Sequence, residues 1–120
     1  MIALHQVRAV VRRLEPATLS GPQAVGLLDW FAELERLAAA GKALVAERAA
    51  ETNQWRVSGD RSPEHWLANR TGSTVVAAKD VLDTARRLKG LPATAQAVRD
   101  GRLSPNRASA VSDGATADPD

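Results

Sequence analysis

From Ser20 to about Arg56 the sequence carries a helical pattern that no proline interrupts after the first turn, and this stretch limits what the chain can become. Ser20 followed three residues later by Gln23 has the form of a capping box, and Pro22 falls in the first turn, where a missing N–H costs nothing. Leu27, Phe31, Leu34, Ala38, Gly41, Val45 and Ala49 then recur at intervals of three and four, which places them on one stripe of a helix. Trp30, Leu37 and Leu44 form a second row that widens it. The expectation is one long helix, covered by other helices of the chain or by a second copy. Ala38 to Gly41 is a flat place in its middle. It reads either as a seat for a close helix neighbour or, if Gly41 breaks the helix, as a kink.

The remaining chain punctuates itself as short helices. Ile2 to Leu14 is amphipathic, with Leu4, Val7, Val10 or Val11 and Leu14 on one face, and Glu15-Pro16 ends it. Val57 to Arg61 reads as a loop. Ser62-Pro63-Glu64 opens a helix that Gly72 closes, and Ser73 caps the next, over 74–89, with Val75, Ala78, Val81, Leu82, Ala85 and Leu88 inward. Pro92 to Asp100 forms a further helix stopped by Gly101, and Ser104-Pro105 opens a last one. No stretch alternates with a period of two for long enough to make a strand. The predicted fold is all-α, five to six helices packed around one long central helix, in a single domain over 1–114 with an acidic tail over 115–120.

Composition narrows the chemistry. The 120 residues include no cysteine, which removes disulfides and thiolate metal sites and fits a reducing cytoplasm. No apolar run reaches the length of a membrane span, and Met1 to Leu14 is broken by His5, Arg8, Arg12 and Arg13, unlike a signal peptide. His5 and His65 are the only histidines and have no partners at metal-ligand spacing. Glu47 and Glu51 share a helix face and read as solvated partners of Arg48. With no nucleophile–base set and no phosphate-cradling loop, the expectation is a non-enzyme without cofactor, metal or small-molecule ligand.

Two constellations remain. Trp66 to Leu82 resembles a helix-turn-helix corner, with Ala68 and Ala78 placed to cross at Gly72; an ordinary tight corner would look the same. The exposed face of its second helix would present Thr74 and Lys79, together with Asp80 and Asp83. Arg86, Arg87, Lys89, Arg99, Arg102 and Arg107 would make a basic edge for double-stranded DNA if their helices are neighbours, or would simply complement helix C-termini. Trp30, Trp55 and Trp66 are expected in the core.

Several separated motifs, in order, resemble a known family. Leu14 to Gly21, the run LERLAAAGK over Leu34–Lys42, Arg61 to Ala68 with Thr71-Gly72, Leu91 to Thr94 and Asp100 to Ser104 are similar to domain of unknown function 222. This is the N-terminal helical domain of actinobacterial HNH endonuclease-like, mobile-element proteins, including the mycobacterial thirteen-E-twelve repeat proteins. The resemblance implies that an HNH nuclease domain follows in relatives. This chain stops first, as a truncated member would, and offers no position for a catalytic residue. The resemblance therefore implies a non-catalytic accessory domain that binds or positions DNA. The alternative is an oligomerisation module, a homodimer built on Leu27, Phe31, Leu34, Ala38, Gly41 and Val45.

Overall fold

A computed structural model describes residues 4–105, 107 and 108. Among them the chain is helical and has no strand: α1 (Leu4–Arg13), one 3-10 turn (Pro16–Thr18), α2 (Gly21–Glu51), α3 (Gln54–Val57), α4 (Pro63–Thr71), α5 (Val75–Leu88) and α6 (Pro92–Arg99). The all-α fold with one dominant helix is as the sequence predicts. The chain forms two compact units, Met1–Ala32 and Glu33–Asp120, and α2 contributes to both.

In the first unit, Glu15 leaves the helical region ahead of Pro16, so α1 stops where the sequence requires. The capping box forms as written. The Ser20 N–H donates to Gln23 Oε1 at 2.9 Å and the Gln23 N–H donates to Ser20 Oγ at 3.2 Å. No described residue of this unit is fully buried: Leu4, Val11, Val25 and Leu28 are exposed, and Leu27 and Phe31 are half-buried. Trp30, expected in the core, is 45% exposed and stands edge-on to Phe31.

α2 passes through Gly41 unbroken and is 31 residues long, about 46 Å at 1.5 Å per residue. It ends before the expected Arg56. Thr52 Oγ1 donates to the Ala49 carbonyl, and Asn53 takes a left-handed backbone at φ 60°, which an Asn side chain tolerates better than most. A short α3 follows, carrying Trp55 half-buried under the Arg56 guanidinium.

The second unit holds the core, and its centre differs from the expected stripe. The buried residues of α2 are Ala40, Ala43, Ala46, Glu47 and Ala50. Ala46 and Ala50 pack with Leu67 and Ala68 of α4 and Ala78 and Leu82 of α5. Ala40 packs with Leu88 of α5, Val98 of α6 and Ala108. At 100° per residue, Leu34, Ala38, Gly41 and Val45 lie on the opposite side of the helix from Ala43 and Ala50. Ala38 and Gly41 are exposed, Leu34 is half-buried, and Val45 is 67% exposed. The buried side is the one on which α4, α5 and α6 pack, and alanine fills it; the outward row mixes Leu34 and Val45 with Ala38 and Gly41, so bulk alone does not mark the buried side.

Gly101 ties α6 back to α2. Its backbone is left-handed (φ +74°), its carbonyl accepts from Arg36 Nε at 2.6 Å, and a Cβ there would lie 3.0 Å from the Leu37 side chain. Gly72 is equally left-handed (φ +70°) but faces open space. Gly72→Ala should therefore cost about 1–2 kcal/mol, from backbone conformation alone. Gly101→Ala should cost more, by about 1–3 kcal/mol of overpacking against Leu37. Urea denaturation of the two variants checks the order; equal losses would contradict the Leu37 contact.

Candidate functional site

The corner between α4 and α5 is built from its caps. Ser62 Oγ accepts from the His65 N–H and lies 2.7 Å from His65 Nδ1, so this histidine serves the start of α4. At the other end Gly72 turns the chain, and the Gly72 and Ser73 N–H groups both donate to the Ala68 carbonyl. Thr74, not Ser73, caps α5, its hydroxyl accepting from the Ala77 N–H at 3.0 Å. Ala68 and Ala78 are both buried, as the corner motif expects. Outward, the first turn of α5 offers Val75 and Val76, apolar side chains with no donor for a base edge. Lys79 is exposed and follows them.

The basic residues of the second half do not form one free edge. Arg86 pairs with Asp83 at 3.4 Å, and Arg102 pairs with Asp100 at 3.1 Å. Arg87 is engaged as well. Lys89 reaches from the end of α5 to α2, 2.8 Å from Glu47 Oε1 and 2.7 Å from Glu51 Oε1. Arg48 meets Glu51 from the other side at 3.3 Å. Arg99 lines an apolar cavity of about 170 Å³ with Lys89, Leu44 and Val98. Arg107 is exposed, its N–H donating to Ser104 Oγ. Among the described residues, Lys79, Arg99 and Arg107 make no ion pair.

Glu47 was expected to be solvated; it is 7% exposed, within the alanine face of α2. Its position between Ala43 and Ala50 was the signal, since those spacings put it on the buried side. Lys89 compensates the buried carboxylate from the rim. The hydrogen bonds to Glu47 and then Glu51 hold the Lys89 ammonium above its ordinary range. The Lys89 hydrogen bond, with Arg48 second, holds Glu51 below the usual carboxylate range.

The third feature is the outward side of α2. Next to Val45 lies a cleft of about 480 Å³ lined also by Lys42, Ala49, Trp66, Arg70 and Thr71. The Arg70 guanidinium stands 5.9 Å from the centre of the half-buried Trp66 ring. The cleft contains two cations and no carboxylate. A Cβ built on Gly41 would meet nothing within 4 Å.

Among the described residues no three His, Asp or Glu side chains converge to hold a metal, and no helix is long and apolar enough to cross a membrane. These features define a helical domain whose surface offers faces and ion pairs. A family model, Domain of unknown function (DUF222), matches residues 27–117, and the chain belongs to that family. No curated protein and no solved structure gives a match.

The Lys89 network should give stability a defined pH response. A raised Lys89 contributes fully below its ordinary value of 10.5, and the contribution is lost as pH rises through the raised value. A lowered Glu51 contributes above its ordinary value of 4.5, and the contribution is lost as pH falls through the lowered value. Lys89→Met should lower the denaturation midpoint at neutral pH, where Glu47 loses its partner, and should remove the alkaline decline. Midpoints measured from pH 4 to pH 11 check both; an unchanged alkaline limb would contradict the assignment.

Proposed function

We propose that this chain is a non-catalytic helical docking module that pairs with a second copy through the outward face of α2 and serves as the accessory part of an HNH endonuclease-like protein in the cytoplasm. The observation that carries the reading is the row Leu34, Ala38, Gly41 and Val45, turned away from the alanine core. Gly41 adds to it. A glycine inside a helix costs about 1 kcal/mol relative to alanine, and nothing among the described residues uses the missing Cβ. A second helix crossing closely at that point would use it. In the first unit the same heptad positions are held by Leu27 and Phe31, which are half-buried.

The test is the mass in solution by light scattering or sedimentation over a range of concentrations. A concentration-dependent dimer is expected. Val45→Arg replaces roughly 1.5–3 kcal/mol of apolar burial per chain, so the dimer Kd should rise at least about tenfold with helicity unchanged. A monomer at every concentration would refute the pairing.

DNA contact is the second reading, supported by the exposed Lys79, Arg99 and Arg107, which make no ion pair among the described residues. If these three reach phosphates, changing all of them to alanine should flatten the salt dependence of duplex binding by about 2.7 in log–log slope. Fluorescence anisotropy of a labelled duplex measures this, and no binding at low salt would remove DNA from the account.

A further inference from the structure

We infer that the second copy lies antiparallel on α2, in a register set by Glu35 of each chain meeting Lys42 of the other. The inference rests on the pairing proposed above and specifies its geometry.

Glu35 and Lys42 are seven residues apart, so they occupy the same heptad position. Each directly follows a member of the outward row, Leu34 and Gly41, and both are exposed along one flank of it. Both line the shallow cleft that α2 forms with Val81 and Pro105. Among the described residues neither makes an ion pair, so both charges are open to a partner chain.

The opposite charges make the flank self-complementary under one symmetry only. If two copies of α2 run antiparallel, equivalent flanks face each other, and Glu35 meets Lys42 twice about a two-fold axis. If they run parallel and in register, each flank faces the opposite flank, where Trp30, Leu37 and Leu44 stand, and neither charge finds a partner. The antiparallel register also sorts the row by size. Ala38 falls opposite Gly41 at the axis on both sides, and Leu34 falls opposite Val45 further out. The two smallest residues thus meet where the helix backbones approach most closely, and the two larger ones fill the space where they diverge. This placement gives Gly41 a use that no described residue of the single chain does.

Two measurements test the register. Glu35→Lys alone and Lys42→Glu alone should each raise the dimer Kd by about two- to thirty-fold, the range for losing two exposed ion pairs and gaining repulsion. The double variant Glu35→Lys/Lys42→Glu should return it to the starting value. Because the chain has no cysteine, single-cysteine variants Ala38→Cys and Gly41→Cys can be mixed and oxidised. The 38–41 disulfide between chains is expected to dominate. A dimer whose Kd ignores both single charge changes, or that cross-links 38 to 38, overturns the antiparallel register while leaving the pairing intact. A wild-type chain that stays monomeric overturns the pairing itself and the register with it.

Discussion

The close crossing of α4 and α5, on which the alanine face of α2 packs, is the constraint from which the second unit follows. Ala68 and Ala78 leave room for α4 and α5 to come together, and Ala46 and Ala50 of α2 pack against them with Leu67 and Leu82 in the same cluster. Leu82 is 1% exposed and is the largest side chain fully enclosed among the described residues. A core of this kind gains less from each side chain than one built from Leu and Phe. It depends on many contacts of small groups and on helix ends that are held in place. The caps at Ser62, Gly72 and Thr74 and the Gly101–Arg36 hydrogen bond hold those ends.

The charge pattern follows from the same packing. Because α2 presents alanine to its neighbours, Glu47 is carried into the buried face, and Lys89 at the end of α5 is close enough to answer it. Three of the basic residues proposed as one edge, Arg86, Lys89 and Arg102, are instead engaged within the domain, on Asp83, Asp100, Glu47 and Glu51. The outward side of α2 carries an apolar row with Glu35 and Lys42 along one flank. That combination suits a protein surface better than a phosphate backbone.

The all-α class, the order of the main helices and most boundaries were legible in the sequence because Ser, Pro and Gly act locally: the Ser20–Gln23 box, Ser62-Pro63, Gly72 and Gly101 all do what their chemistry dictates. The break at Thr52-Asn53 was missed because only the left-handed Asn backbone marks it. The identity of the buried face was missed for a different reason. Ranking faces by bulk selects Leu34, Leu37 and Val45, whereas the buried side is set by where α4, α5 and α6 pack, a property of the neighbours rather than of the helix itself. The ion pairs of Lys89 were illegible for the same reason, since 38 residues separate it from Glu51. Of the candidate surfaces, the row Leu34, Ala38, Gly41 and Val45 was named from the sequence as a homodimer face, with the chain's own helices as the alternative cover. The sixth helix beyond Ala108 and the acidic tail over 115–120 lie outside the described residues.

The orientation of α2 is the claim on which everything else stands, and one labelling experiment measures it. In a chain without cysteine, Ala43→Cys and Val45→Cys place a single thiol on opposite sides of the helix. Thiol reactivity of the native proteins, in dilute solution, should be slow at position 43 and close to that of a free thiol at position 45, with the rate at 45 falling as concentration rises and copies pair. Rapid labelling at 43 with protection of 45 in dilute solution would mean that the bulky row is the core and that the alanine face is the open one.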